Sequence, residues 1–269
     1  LVNAPEKLFL PDIQAQEDSR GVPIQQVGIK GVRYPVTVLM ADGSAMPSVA
    51  RFDMNVALAA RDKGTHMSRF IALLESGLQP MSASALADLL EAQLISLDAQ
   101  RGEIHASLPV FIRKQAPVSG VSSLLDVDAR FSASGSRGVG KTLTLRVDVP
   151  VTSLCPCSRE ISAYGAHNQR SCLSVSATLQ AGVDGPGVEA LVRVAEQAAS
   201  CEIYGLLKRQ DEKFVTERAY DNPRFVEDLV RDVALALAAD SRIVRYTVES
   251  ENFESIHNHS AYARIEGMR

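Results

Sequence analysis

Two short stretches carry residues whose chemistry an ordinary core does not need. TSLCPCSREISAYGAHNQRS, residues 152–171, holds Cys155, Cys157 and His167, and SCEIYGLL, residues 200–207, holds Glu202 beside Cys201. Thiol, imidazole and carboxylate groups converging from separate elements suggest a single transition-metal site with room for water. Cys155 ends a strongly alternating apolar run just before Pro156. A thiol there can be filler, nucleophile or ligand. Its company favours a ligand, and the sequence alone does not choose between Cys155 and Cys157. His167 lies in a loop rich in Gly, Asn, Gln and Arg rather than on an apolar face. Glu202 falls at the end of an apolar helical stretch, AEQAASCEIYGLL, where a carboxylate needs a metal or a cation as partner.

Further residues surround that set. Glu217, in KFVTERAYDNP, precedes a predicted helix; it reads as a surface acid or as an acceptor for the paired donors of a guanine-like edge. His257 and His259 alternate around Asn258, so in a strand both face one side, as proton-transfer groups beside a metal would. In KGTHMSRF, Lys63, His66 and Arg69 cluster near a helix start, where cations and free amides can hold phosphates. One match is a decoy. GSRGVGKT, Gly135 to Thr142, fits the P-loop pattern, but that mechanism needs a helix at the Lys, and Lys141 instead opens a strictly alternating strand.

The elements that must position these groups follow a repeated order. IQQVGIKGVRYPVTVLM and SVARFDMNVAL read as strands; in the second, Ala50, Phe52, Met54, Val56 and Leu58 alternate with polar residues. Helical patterns follow at about 66–78 and 82–98, the latter capped by Ser82 with Leu86, Leu89, Leu90 and Leu94 on one face. Two more alternating runs, Ile104 to Val110 and Leu125 to Phe131, complete ββααββ. The second half repeats it. Strands run from Leu143 to Val151 and from Leu173 to Ala181, and a helix is expected over about 187–204. A second helix begins at Asn222-Pro223, and strands near 242–251 and 260–266 close the unit. The expectation is an α+β chain of two ββααββ units, with antiparallel sheets and helices on one face: residues 1–131, a Gly/Ser-rich linker at 132–140, and 141–269 with the metal site. Exposed sheet edges favour closure by oligomerisation.

Composition narrows the class. A net charge of −4 argues against a nucleic-acid binder working by bulk electrostatics. No apolar run approaches the roughly 20 residues that span a bilayer, and no basic-then-apolar leader opens the sequence. Four cysteines, two of them in Cys-Pro-Cys, do not read as a disulfide framework, so a reducing cytoplasm is expected.

Taken together, PDIQ, GVRYP, KGTHMSRF, TSLCPCSREIS with GAHNQR, SCEIYGLLKRQDEKFVTERAYDNPRFVEDLVRD and SENFESIHNHSAYA resemble the type IB GTP cyclohydrolase I family along nearly the whole chain. The resemblance implies a bimodular tunnelling fold and a homotetramer with active sites at subunit interfaces. It implies one divalent metal per site (Mn or Zn, or Fe), no organic cofactor, and GTP as substrate. By resemblance, Cys155, His167 and Glu202 are the ligands and Glu217 anchors the purine. A carboxylate in place of a second thiolate fits the tolerance of Mn²⁺, because it hardens the donor set. Gln210 stands where Pro is expected and touches no assigned role. The competing class is a tunnelling-fold nitrile reductase, with Cys155 or Cys157 as nucleophile and NADPH as reductant; it would not need His167 and Glu202 as ligands. A non-catalytic pterin- or purine-binding oligomer is the third reading.

Overall fold

Alternation of apolar and polar residues builds one long antiparallel sheet. The computed structural model describes residues 12–269 apart from 15, 78, 79, 181 and 184. The first eleven residues, Leu78 at the expected end of the first helix and Ala181 at the expected end of a strand therefore lie outside the described residues. The strands are β1 (Ile24–Leu39), β2 (Ala45–Leu58), β3 (Arg101–Gln115), β4 (Ser122–Ser136), β5 (Gly140–Leu154), β6 (Asn168–Leu179), β7 (Cys201–Glu202), β8 (Ile243–Asn252) and β9 (Ala261–Met268). They lie in the order β1-β2-β3-β4-β5-β6-β8-β9, with β7 paired to β5. The helices are α1 (Met67–Glu75), α2 (Ala83–Ser96), α3 (Pro156–Ile161), α4 (Val188–Ala198), α5 (Arg209–Asp221) and α6 (Val226–Ala239).

One strand face is apolar and packs under helices. Along β5, Leu145, Val147, Val149 and Val151 are buried while Arg146 and Asp148 point away, as a period of two requires. Leu86, Leu90 and Leu94 of α2, with Leu229, Val233 and Leu237 of α6, join the same core cluster. Full burial of such a side chain contributes about 2 kcal/mol. The Ser82 hydroxyl caps α2 as expected, accepting the Ala85 amide at 3.0 Å.

Several expectations need correction. The Gly/Ser-rich stretch 132–140, expected as a linker, is the turn end of a hairpin: β4 runs through it to Ser136 and turns tightly into β5, with Ser136 paired to Gly140. Lys141 is strand, paired with Gly135 and bonded to Glu91 at 2.9 Å, so no helix starts there and the P-loop mechanism has no frame. The helix expected over 187–204 stops at Ala198, and Cys201 and Glu202 become strand. The reason is a vacant sheet edge. β4 stays beside β5 only as far as Asp128 opposite Asp148, and Thr152 and Val151 then take Cys201 and Glu202 as partners. Asn222-Pro223 does not open a helix. Asn222 ends α5, donating to the carbonyls of Ala199 (2.9 Å) and Ser200 (3.3 Å), and α6 starts after Phe225, whose amide donates to Asp228. Helices α3 and α5 were not foreseen. The α5 sequence RQDEKFVTERAYD is polar almost throughout, with only Asp211 and Ala219 buried, and so has little apolar stripe to detect.

Candidate metal and active site

At one end of the sheet the inward register changes from apolar to polar. Ser153 on β5, Gln169 and Ser171 on β6, and Ser250 and Asn252 on β8 continue the buried faces of their strands. They are cross-strand neighbours: Ser153 opposes Gln169, and Ser171 opposes Asn252. Buried polar groups need partners, and these find one another. The Ser153 and Ser171 hydroxyls meet at 2.7 Å, and the Gln169 amide donates to Ser153 at 3.1 Å.

Cys155 and His167 sit at this end, held together by the backbone. The Cys155 amide donates to the His167 carbonyl at 3.2 Å. Ser158, in the first turn of α3, clips the pair: its amide donates to Cys155 Sγ at 3.4 Å, its hydroxyl to the Cys155 carbonyl, and the His167 amide donates to that hydroxyl at 3.2 Å. Cys155 is half-buried; Cys157 is exposed and outside the clip. His167 Nδ1 stands 3.0 Å from Gln169 Oε1, with Ser255 Oγ at 3.4 Å and Glu254 at 4.0 Å. With Nδ1 engaged in this way, Nε2 is the nitrogen left for a ligand.

Glu202 arrives from the other side of β5, paired with Val151. It lines a cavity of about 190 Å³ with Thr152, Asn168, Tyr204 and Val215. Its carboxylate bonds Lys114, which also bonds Glu196 and lies 4.6 Å from the centre of the Tyr204 ring. Burial alone would raise the Glu202 pKa; Lys114, Tyr204 and Arg218 outweigh it and hold the group below its usual range. Glu196 goes the other way, pushed up by burial despite Lys114. Burial, with Glu202 alongside, also pushes the Tyr204 phenol and the Cys201 thiol up.

The single chain does not bring every expected residue to this end. Among the described residues, no three His, Cys, Asp or Glu side chains stand close enough to hold a metal. Cys155 and His167 form a pair, and Glu202 is anchored separately on Lys114. Glu217 does not precede a helix but lies within α5, largely exposed, in an i,i+4 ion pair with Lys213 at 2.5 Å. His257 and His259 lie in the loop between β8 and β9 rather than in a strand. Their rings nonetheless stack, with centroids 5.1 Å apart and planes 14° apart. Lys63, His66 and Arg69 flank the start of α1 and bond within the first half, to Gln16 (2.8 Å), Asp12 (3.2 Å) and the Ser96 carbonyl (2.8 Å). Sequence reasoning missed Lys114, Gln169 and Ser158. For Lys114 and Gln169 the signal was a polar residue in the inward register of an alternating strand.

The donor types fit a soft-to-borderline divalent ion: a half-buried thiol, an imidazole with one nitrogen fixed, and a carboxylate below its usual pKa. Among the described residues, no helix is long and apolar enough to cross a membrane.

A continuous antiparallel sheet with helices on one face, and a polar site where the strands end, defines an α+β protein of the tunnelling-fold class. Solved structures share the fold. A uricase from Arthrobacter globiformis superposes with a TM-score of 0.53 at 11% identity, covering 96% of each chain. Urate oxidase from Bacillus subtilis gives 0.52 at 10%, covering 91% of this chain and 99% of its own. Sequence comparison identifies the particular family: residues 10–263 match the model of type I GTP cyclohydrolase folE2, and the chain belongs to that family. GTP cyclohydrolase FolE2 1 of Dechloromonas aromatica is 56% identical over 266 residues, 99% of both chains. GTP cyclohydrolase FolE2 of Paraburkholderia phymatum is 57% identical over 257 residues, 96% of this chain and 94% of the relative. Membership in this family decides against the nitrile reductase.

Proposed function

We propose that the chain is a type IB GTP cyclohydrolase I, converting GTP and water to 7,8-dihydroneopterin triphosphate and formate. The observation that carries the reading is the family match over residues 10–263, which spans the Cys155–His167 clip, Glu202 and both loop histidines. Cys155, His167 and Glu202 would hold one divalent ion, Mn²⁺ or Zn²⁺. The chemistry it would supply there is a bound water of lowered pKa, and so hydroxide for carbon 8 of guanine. Gln169 fixes the His167 ring, and Ser158 ties His167 to the thiol. The stacked His257 and His259 supply the proton to the imidazole nitrogen as the ring opens. Glu217 accepts the paired donors of the guanine edge, and Lys63, His66 and Arg69 hold the triphosphate.

In one chain, the last four residues lie on exposed or distant surfaces. A homotetramer with sites at subunit interfaces, in the cytoplasm, is the assembly this reading requires. Among the described residues, β1 and β9 end the sheet with no further strand beside them, which supports it.

The test is GTP turnover by metal-stripped protein with Mn²⁺ or Zn²⁺ restored, following pterin fluorescence and formate together. Both products are expected only with metal; inorganic phosphate without pterin would overturn the reading. Within that assay, Glu217→Gln is expected to raise the KM for GTP by about ten-fold or more, the worth of a charged hydrogen bond. Metal affinity should stay within about two-fold, since Glu217 is outside the donor set. An unchanged KM would remove Glu217 from the base pocket.

A further inference from the structure

Lys114 continues the buried register of β3, after Ile104, Ala106, Leu108, Val110 and Ile112. Its side chain is 8% exposed, and among the described residues no other Lys or Arg is buried to that degree. A buried ammonium is retained only when its charge is matched. Here it is more than matched. One ammonium serves two carboxylates, Glu196 at the end of α4 and Glu202 on β7, with the Tyr204 ring as a third contact. Arg193 and Arg218 act on the two carboxylates through space. On formal charges the hydrogen-bonded triad carries one negative charge in excess, on the β7 side of β5.

The arrangement has a use if Glu202 is a metal ligand, as the proposed function holds. Without Lys114, Glu202 would be a half-buried acid with only Tyr204 and Arg218 to offset its charge; with Lys114 it is neutralised inside the chain. A cation taking Glu202 would strand Lys114 as an unpaired buried charge, unless a second acid stood ready. Glu196 is that acid: it hydrogen-bonds Lys114, with Arg193 acting on it through space. We propose that Lys114 is the displaceable counter-ion of Glu202: it balances that carboxylate within the chain and keeps Glu196 as partner when a divalent cation takes Glu202. Lys114 is then a positioning residue that sets how tightly the ion is held, and Glu196 makes the exchange tolerable.

Two substitutions should move metal affinity in opposite directions, which a merely structural role for the triad would not do. The measurement is competition for Mn²⁺ and for Zn²⁺ against a fluorescent chelator on the full-length, metal-stripped protein, with melting temperature recorded alongside. Lys114→Met removes a positive charge that competes with the ion, so binding should tighten by about ten-fold or more. Glu196→Gln leaves Lys114 dependent on Glu202, so binding should weaken by roughly ten-fold. Lys114→Arg keeps the charge and should stay nearer the parent than Lys114→Met does. Weaker or unchanged binding by Lys114→Met overturns the proposal, as does weakening by both variants together. If Lys114→Met does not fold, Glu196→Gln decides: affinity equal to or tighter than the parent overturns it. A parent protein that binds neither ion overturns the metal reading and this proposal with it, whereas failure of the variants alone leaves the metal reading standing.

Discussion

Cys155→Ala is expected to lower GTP turnover by about 10³-fold or more, while Cys157→Ala stays within a few-fold of the parent. The magnitude follows from losing a ligand to an ion that supplies several kcal/mol of transition-state stabilisation, at about 1.4 kcal/mol per ten-fold. The contrast follows from geometry. Cys155 Sγ receives the Ser158 amide and its backbone is bonded to His167, whereas the neighbouring Cys157 is exposed and free of that clip. Chelator competition should show the same split in metal affinity. Equal losses in both variants, or a fully active Cys155→Ala, would refute the assignment of the thiol. Each variant removes a single sulfur, so a melting curve separates misfolding from loss of the ligand.

Asp211→Asn is the second large effect, and it concerns stability. Asp211 is fully buried at the start of α5. It accepts the amides of Val118 (2.9 Å), Ser119 (2.8 Å) and Lys208 (2.9 Å) and the Ser119 hydroxyl (2.6 Å). One carboxylate thereby pins the β3–β4 turn to the helix that borders the 190 Å³ cavity. Burial by itself would raise its pKa; the Ser119 hydroxyl and the three amides outweigh it and hold the group far below the usual carboxylate range. A depressed folded pKa contributes stability that is complete above the unfolded value, about 4, and is lost as pH falls through the folded value. The Asn variant should melt lower by something on the order of 5 °C at neutral pH. It should also lack the part of the acid-side decline that this carboxylate causes. Melting curves from pH 7 down to pH 3 test both statements; a variant matching the parent throughout would show that the pin carries no net stability.

How much was legible in the sequence depended on how strongly each element advertised its burial. The long strands and α2 were plain, because Ala50 to Leu58 and Leu143 to Val151 alternate strictly and Leu86, Leu90 and Leu94 recur at helical spacing. Residue type singled out the thiol, imidazole and carboxylate proposed as a donor set, of which the backbone ties only Cys155 and His167 to each other. What failed was context. A two-residue strand such as β7 has no period to read, and it forms only because β4 leaves β5 unpaired beyond Asp148. The polar α5 offered no stripe, so Glu217 was placed before a helix instead of within one. Lys114 was within reach: extending the alternation from Val110 by two steps of two puts an ammonium in the core, which already asks for buried acids. The loop histidines show the converse, since spacing placed them side by side although the strand it assumed does not exist.

The order of strands along the sheet also bears on how the molecule comes together. Most neighbours in the sheet are neighbours in the chain, and hairpins of that kind form early because little loop entropy must be lost first. The widest gap between paired strands runs from Leu179 at the end of β6 to Ile243 at the start of β8. Within that excursion lie α4 with Glu196, β7 with Glu202, and α5 with Asp211 and Glu217. Cys155 and His167, by contrast, belong to the local β5–β6 connection. On grounds of sequence separation, the β5–β6 hairpin that carries Cys155 and His167 is expected to close before β8 pairs with β6 and returns the segment with Glu202 and Glu217 to the sheet.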